Sequence, residues 1–146
     1  MTEIHRTALV NCSAEYMFDL VNDVVAYPKR FSWCVGAQIL ERNEEVVVAR
    51  LDLKFAGMRH GFTTRNMVDR PSRLQLHLVD GPLRHLEGEW RFIRLGQEGC
   101  RVHFSLDFEY AGHMGQQLLK LGFQRLANRM MDDFCNEARR QECQAG

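Results

Sequence analysis

The spacing of apolar and polar positions changes twice along the chain and divides it into three stretches. Ile4 to Val10 reads as a strand. Ser13 then offers an N-cap oxygen before Ala14-Glu15-Tyr16-Met17-Phe18-Asp19-Leu20-Val21, where Met17, Leu20 and Val21 recur at helical spacing. A short helix is predicted there, ending at Tyr27-Pro28 because proline disfavours helical geometry in the residue before it.

From Val35 to Tyr110 the period is two. Val47, Ala49, Leu51, Leu53 and Phe55 alternate with polar or solvent-facing positions, as they would in a sheet with one dry face. The pattern repeats in Phe62, Thr64, Asn66 and Val68; in Leu74, Leu76 and Leu78; in Leu86, Gly88, Trp90 and Phe92; and in Val102, Phe104, Leu106, Phe108 and Tyr110. Turn signals at Arg42-Asn43-Glu44, Ala56-Gly57, Asp69-Arg70-Pro71-Ser72, Asp80-Gly81-Pro82 and Gly96-Gln97-Glu98-Gly99 separate these runs by hairpin-length gaps, which predicts an antiparallel meander.

After Gly112 the helical period returns. Met114, Leu118, Gly122, Leu126, Met130, Phe134 and Ala138 form one row, and Leu119, Phe123, Ala127, Met131 and Cys135 form the next. A helix from His113 to Arg140 would run about 42 Å and outreach a strand of about eight residues, so it must cross the sheet. The fold class is therefore α+β in a helix-grip arrangement: about seven antiparallel strands packed on a long C-terminal helix, in one domain over residues 1–146. Periodicity alone does not separate a filled interface from a void. Gly61 and Gly88 within strands point to a bent sheet, which favours an enclosed apolar cavity.

Composition narrows the function classes. The chain has 19 basic and 19 acidic residues, so zero formal charge argues against general DNA binding, which draws its affinity from many cations on phosphates. The apolar runs are too short for a membrane span. The five cysteines, Cys12, Cys34, Cys100, Cys135 and Cys143, make an odd count without a CxxC pair and are read as free thiols in a reducing, cytoplasmic setting. The six histidines are scattered singly, so no metal site is expected.

Glu87/Glu89 and Asp107/Glu109 share strand faces, but these are the wet faces beside Arg91 and Arg101, where ion pairing is the ordinary outcome. No nucleophile elbow and no phosphate-binding glycine loop is present, so no catalytic residues are assigned and no enzyme is expected. What remains is an apolar interior with sparse polar groups, Thr64, Asn66 and Tyr110, which is how small-molecule sites are commonly built. A cationic face on the last helix, with Lys120, Arg125, Arg129, Arg139 and Arg140, and the pair Lys29-Arg30 offer a second surface for RNA or an acidic partner. Asp132, Asp133, Glu137 and Glu142 dilute it.

Several segments together resemble the RatA and coenzyme Q-binding, START-like family: Arg6-Thr7-Ala8-Leu9-Val10 with Ser13-Ala14-Glu15, Leu20-Val21-Asn22-Asp23-Val24 with Tyr27-Pro28, Phe62-Thr63-Thr64-Arg65-Asn66, Leu78-Val79-Asp80-Gly81-Pro82 with Leu86, Gly88, Trp90 and Phe92, and Cys100-Arg101-Val102 with Leu106-Asp107-Phe108-Glu109. The stretch Lys29-Arg30-Phe31-Ser32-Trp33-Cys34 departs from the family's aromatic and leucine-proline pattern, and Leu83 replaces a frequent phenylalanine.

The resemblance implies a START/Bet v 1-like fold enclosing an apolar cavity. It also implies a ubiquinone or other isoprenoid lipid as ligand with no required cofactor, and the large ribosomal subunit as a partner whose joining is hindered. Relatives have also been called oligoketide cyclase or dehydrase. The residues expected to line the cavity are Phe62, Thr64, Asn66, Trp90, Phe92, Phe104, Phe123, Met130 and Phe134, with Trp33 at its mouth.

Overall fold

The computed structural model describes residues 2–110 and 117–143. β1 (Thr2–Val10) leads into α1 (Ala14–Asn22), a 3-10 turn (Val24–Ala26) and α2 (Tyr27–Arg30). β2 (Cys34–Arg42), β3 (Val46–Phe55), β4 (Met58–Asp69), β5 (Arg73–Asp80), β6 (Leu83–Leu95) and β7 (Gly99–Tyr110) follow, and α3 (Gln117–Arg140) closes the fold. The seven strands form one antiparallel sheet in the order β1-β7-β6-β5-β4-β3-β2, a meander to which β1 is added along the outer edge of β7.

This is the helix-grip arrangement the alternation predicts, with each hairpin at its turn signal. Register breaks between Thr63 and Thr64 and between Leu83 and His85 bend the sheet, as bulges do. At Gly88 a side chain would collide with Leu106 Cδ1 at 2.8 Å, so the glycine lets a neighbouring leucine cross the concave face. The strands run from 8 to 13 residues, longer than expected, so β6 matches or exceeds α3 in length. The expected helix start at His113, with Met114 in its apolar row, lies outside the described residues.

Three local readings are corrected. Pro28 does not end a helix. α1 stops at Asn22, and Pro28 sits in the first turn of α2, where its missing N–H costs nothing. Leu118 belongs to the apolar row by spacing, but at the start of α3 it is exposed. The cysteines are not all free: Cys12, after β1, is bridged to Cys143, after α3, while Cys34, Cys100 and Cys135 are buried thiols. Nothing local to either bridged cysteine signals a pairing across 131 residues.

Polar contacts fix α3 against its surroundings. Arg6, on the concave side of β1, donates to the Asn128 carbonyl and, at 2.9 Å, to Asp132 Oδ1. Trp33 Nε1–H donates to Asp133 Oδ2 at 2.8 Å. Glu137, expected on the solvated side, is buried. It accepts from Arg140 and from Gln141 Nε2 at 2.9 Å and lies 3.9 Å from the Arg30 guanidinium. Hydrogen bonding from Arg140 holds the Glu137 carboxyl below the ordinary carboxylate range. Among the described residues no helix is long and apolar enough to cross a membrane.

Two outcomes follow. Because the Glu137 pKa is depressed in the folded state, its stabilisation is present above the ordinary glutamate pKa of about 4.3 and fades as pH falls through the lower folded value. Urea titrations should therefore show wild type losing more stability than Glu137→Gln between neutral and strongly acid pH; equal losses would remove this role. Opening the bridge with Cys143→Ser should lower unfolding free energy by about 2–4 kcal/mol through the freed unfolded chain. A urea midpoint equal to that of the oxidised wild type would contradict it.

Candidate functional site

The alternating rows of β3 to β7 send Ala49, Leu51, Leu53, Phe62, Thr64, Asn66, Leu74, Leu76, Leu86, Trp90, Phe104 and Leu106 to the concave face, and α3 lays Phe123, Met130 and Phe134 across it. Between them lies a cavity of about 100 Å³. α1 and the turns after it close one side with Val21, Asn22, Val24 and Tyr27. Phe62, Thr64, Asn66, Trp90, Phe104, Phe123, Met130, Phe134 and Trp33 surround this cavity.

Phe92 does not. It points one step further along β6, where Phe18 of α1 meets it edge-on at 5.7 Å, so the N-terminal helix covers it before the cavity begins. Trp33, expected at an open mouth, is only 3% exposed. It stacks on Phe31 at 4.9 Å and meets Tyr27 and Phe134 edge-on, forming a packed aromatic wall. α1 also brings Asn22 to the cavity and α2 brings Tyr27, and the row analysis did not assign them.

Polar groups are few. Asn66 is 6% exposed, opposite Val47 of β3 and Leu76 of β5. Thr64 Oγ1 donates to Asn66 Oδ1 at 2.9 Å, a bond that uses one oxygen of Asn66 and neither of its amide hydrogens. Tyr27 donates its hydroxyl to the Val21 carbonyl, and burial pushes its pKa far up, so it remains a neutral donor already engaged. Burial also raises the thiol pKa of Cys34, where the cavity wall meets β2, which keeps it protonated and a poor nucleophile. Tyr110 lies outside the cavity lining. Its hydroxyl is buried without a partner among the described residues, and burial pushes its pKa up to about 12.

The carboxylate pairs lie on the convex face, away from the cavity. Glu89 is held by Arg91 at 2.7 Å and Arg73 at 3.6 Å; Glu87 faces His77 at 3.7 Å, and Glu109 faces Arg84 at 3.9 Å. The arrangement therefore offers an apolar, aromatic-rich enclosure with an amide donor, and among the described residues its lining holds no acidic or basic side chain.

The family described as polyketide cyclase / dehydrase and lipid transport matches residues 10–135. Ribosome association toxin RatA of Escherichia coli is 41% identical over 139 residues, covering 95% of this chain and 88% of that protein. Coenzyme Q-binding protein COQ10 homolog B of Xenopus laevis is 25% identical over 94% of this chain and 58% of its own length. Among solved structures, the ZhuI aromatase/cyclase of Streptomyces superposes with a TM-score of 0.84 at 22% identity, covering 96% of this chain and 94% of that one. That identity establishes a shared fold only. The match across residues 10–135 and the RatA identity place this chain in the polyketide cyclase / dehydrase and lipid transport family, with the RatA and coenzyme Q-binding START-like proteins.

Proposed function

We propose that this protein is a non-enzymatic carrier of a hydrophobic ligand bearing a carbonyl oxygen, with ubiquinone or a related isoprenoid quinone as the best-fitting class. The observation that carries the reading is Asn66: a buried amide on an otherwise apolar cavity wall, with donors not used by its bond to Thr64. The Asn66 amide hydrogens make no hydrogen bond among the described residues, and a ligand carbonyl would give them an acceptor, a bond worth about 0.5–1.5 kcal/mol net. The aromatic faces of Trp90 and Phe104, stacked at 4.2 Å, match a flat ring. The Xenopus relative, named a coenzyme Q-binding protein, supports the same class.

At about 100 Å³ the cavity is smaller than the ~150 Å³ apolar cavity that admits benzene, so binding a substituted ring requires the wall to move. Met130 is the adaptable part of that wall, because its unbranched thioether changes rotamer at little cost. An isoprenoid tail then gains about 25 cal/mol per Å² of apolar surface withdrawn from water.

A second role, association with the large ribosomal subunit, is favoured by the RatA relatives. The expected cationic surface is thinner than its sequence. Arg30 lies beside Asp23 and Glu137, Arg129 beside Asp133, and Arg140 beside Glu137, which leaves Lys29, Lys120, Arg125 and Arg139 as the cations of that surface without an ion pair among the described residues.

Lipid extraction of the purified protein, read by mass spectrometry, should yield an isoprenoid or acyl lipid, and added short-tailed ubiquinone should quench tryptophan emission. Asn66→Leu, which fills the same space without a donor, should weaken that quenching titration by about 5- to 30-fold while leaving the thermal midpoint near wild type. Absence of a co-purifying lipid together with unchanged emission would end the carrier reading. For the ribosomal role, Lys29→Glu combined with Arg125→Glu should reduce co-sedimentation with isolated large subunits more than about tenfold, and unaltered co-sedimentation would reject this surface.

A further inference from the structure

The β3–β4 hairpin and the first half of α3 meet at one end of the cavity, and their outer surfaces differ in composition from the rest of the protein. Gly122 makes the meeting possible: a side chain there would stand 3.2 Å from both Ala56 Cβ and Phe55 Cδ2. Beneath the contact, Phe123 stacks on Phe62 at 5.4 Å and meets Phe55 at 5.8 Å, and both Phe62 and Phe123 line the cavity.

Around the contact, three large apolar side chains face solvent: Leu118 is 74% exposed, Met58 59% and Leu121 46%. Lys54 and Arg59 stand directly opposite each other across the hairpin, a like-charge pairing that is unfavourable in an isolated protein. Lys54 and Arg59 flank the hairpin turn from the convex face, and Lys120 and Arg125 lie on α3 in the same half as Leu118 and Leu121. Neither 53–68 nor 117–131 contains an aspartate or glutamate. The carboxylates at the border are Asp52, engaged by Arg50 at 3.2 Å, and Asp80, opposite Thr63.

We infer that this surface docks the protein on an anionic lipid bilayer, with Leu118, Leu121 and Met58 entering the headgroup boundary and Lys54, Arg59, Lys120 and Arg125 meeting lipid phosphates. Exposed apolar side chains rimmed by cations, with acids excluded, are the composition of interfacial membrane binders. A polyanion such as RNA would satisfy the cations and leave the three apolar side chains in water, so the bilayer accounts for more of the surface. The site also stands where a ligand dissolved in the bilayer would reach the Phe62–Phe123 wall of the cavity. That link rests on the carrier reading; the docking itself does not, and it is tested without quinone.

The test is co-sedimentation of the full chain with vesicles of equal parts phosphatidylglycerol and phosphatidylcholine, with pure phosphatidylcholine vesicles as the neutral arm. Wild type should pellet with the anionic vesicles and far less with the neutral ones. Lys54→Glu with Arg59→Glu, and separately Leu118→Ser with Leu121→Ser, should each weaken binding at least about tenfold. Far-UV circular dichroism and tryptophan emission confirm that the variants fold, and a single Arg59→Gln variant, expected to weaken binding several-fold, replaces any that does not.

Failure of wild type to pellet with anionic vesicles would overturn the inference. So would variants that bind like wild type, or charge reversal that abolishes binding while the serine pair leaves it intact, since the last result describes a polyanion surface. Vesicle binding with no quinone quenching defeats only the carrier reading, and quenching without vesicle binding defeats only this one.

Discussion

One apolar face of α3 must cover a concave sheet, and two phenylalanines set how closely it approaches. Phe134 is wedged among Tyr27, Phe31, Trp33 and Trp90, and Phe123 among Phe55, Phe62 and Phe108. They stand eleven residues apart, about 16 Å along the helix axis. Between these supports the helix presents Ala127 and Met130 rather than another ring, and there the sheet curves away to leave the cavity. The enclosure is thus a product of side-chain size along the buried face of one helix, where two neighbouring rows meet the sheet, and burial at its two ends holds it open.

The helix is fastened unevenly. Its C-terminal half carries the bonds from Arg6 to Asn128 and Asp132, the Trp33–Asp133 hydrogen bond, the buried Glu137 cluster and the bridge from Cys143 to Cys12. The N-terminal half rests on the glycine contact with Ala56 and on aromatic stacking, interactions that lack direction and reform after small shifts. α3 is therefore held by fewer directional contacts at its Phe123 end than at its Phe134 end.

The strand alternation and the turn residues made the sheet legible because both are local: a period of two assigns faces, and Ala56-Gly57 or Gly96 with positive φ marks a reversal without reference to the rest of the chain. The same logic located most of the cavity wall. It overshot at Phe92, since alternation says which face a residue occupies but not which element covers it. It also misplaced Glu137 and Leu118, because helical spacing cannot say how far the sheet extends under the helix. The closed packing of Trp33 and the bridge between Cys12 and Cys143 depend on contacts 100 and 131 residues apart, respectively, and no short-range pattern encodes them. The cavity's size depends on the separation of helix and sheet, a quantity absent from any periodic reading.

The strand order has a consequence for biosynthesis. β1 is made first but pairs only with β7, Thr2 lying opposite Phe108, so its ladder has no partner until nearly the whole sheet has emerged. At about 5–20 residues per second, the first strand of a nascent chain waits on the order of 5–20 s with its hydrogen-bonding edge open to other strands. The alternating polar residues Glu3, His5 and Thr7 on its wet face help keep that waiting segment from pairing with copies of itself.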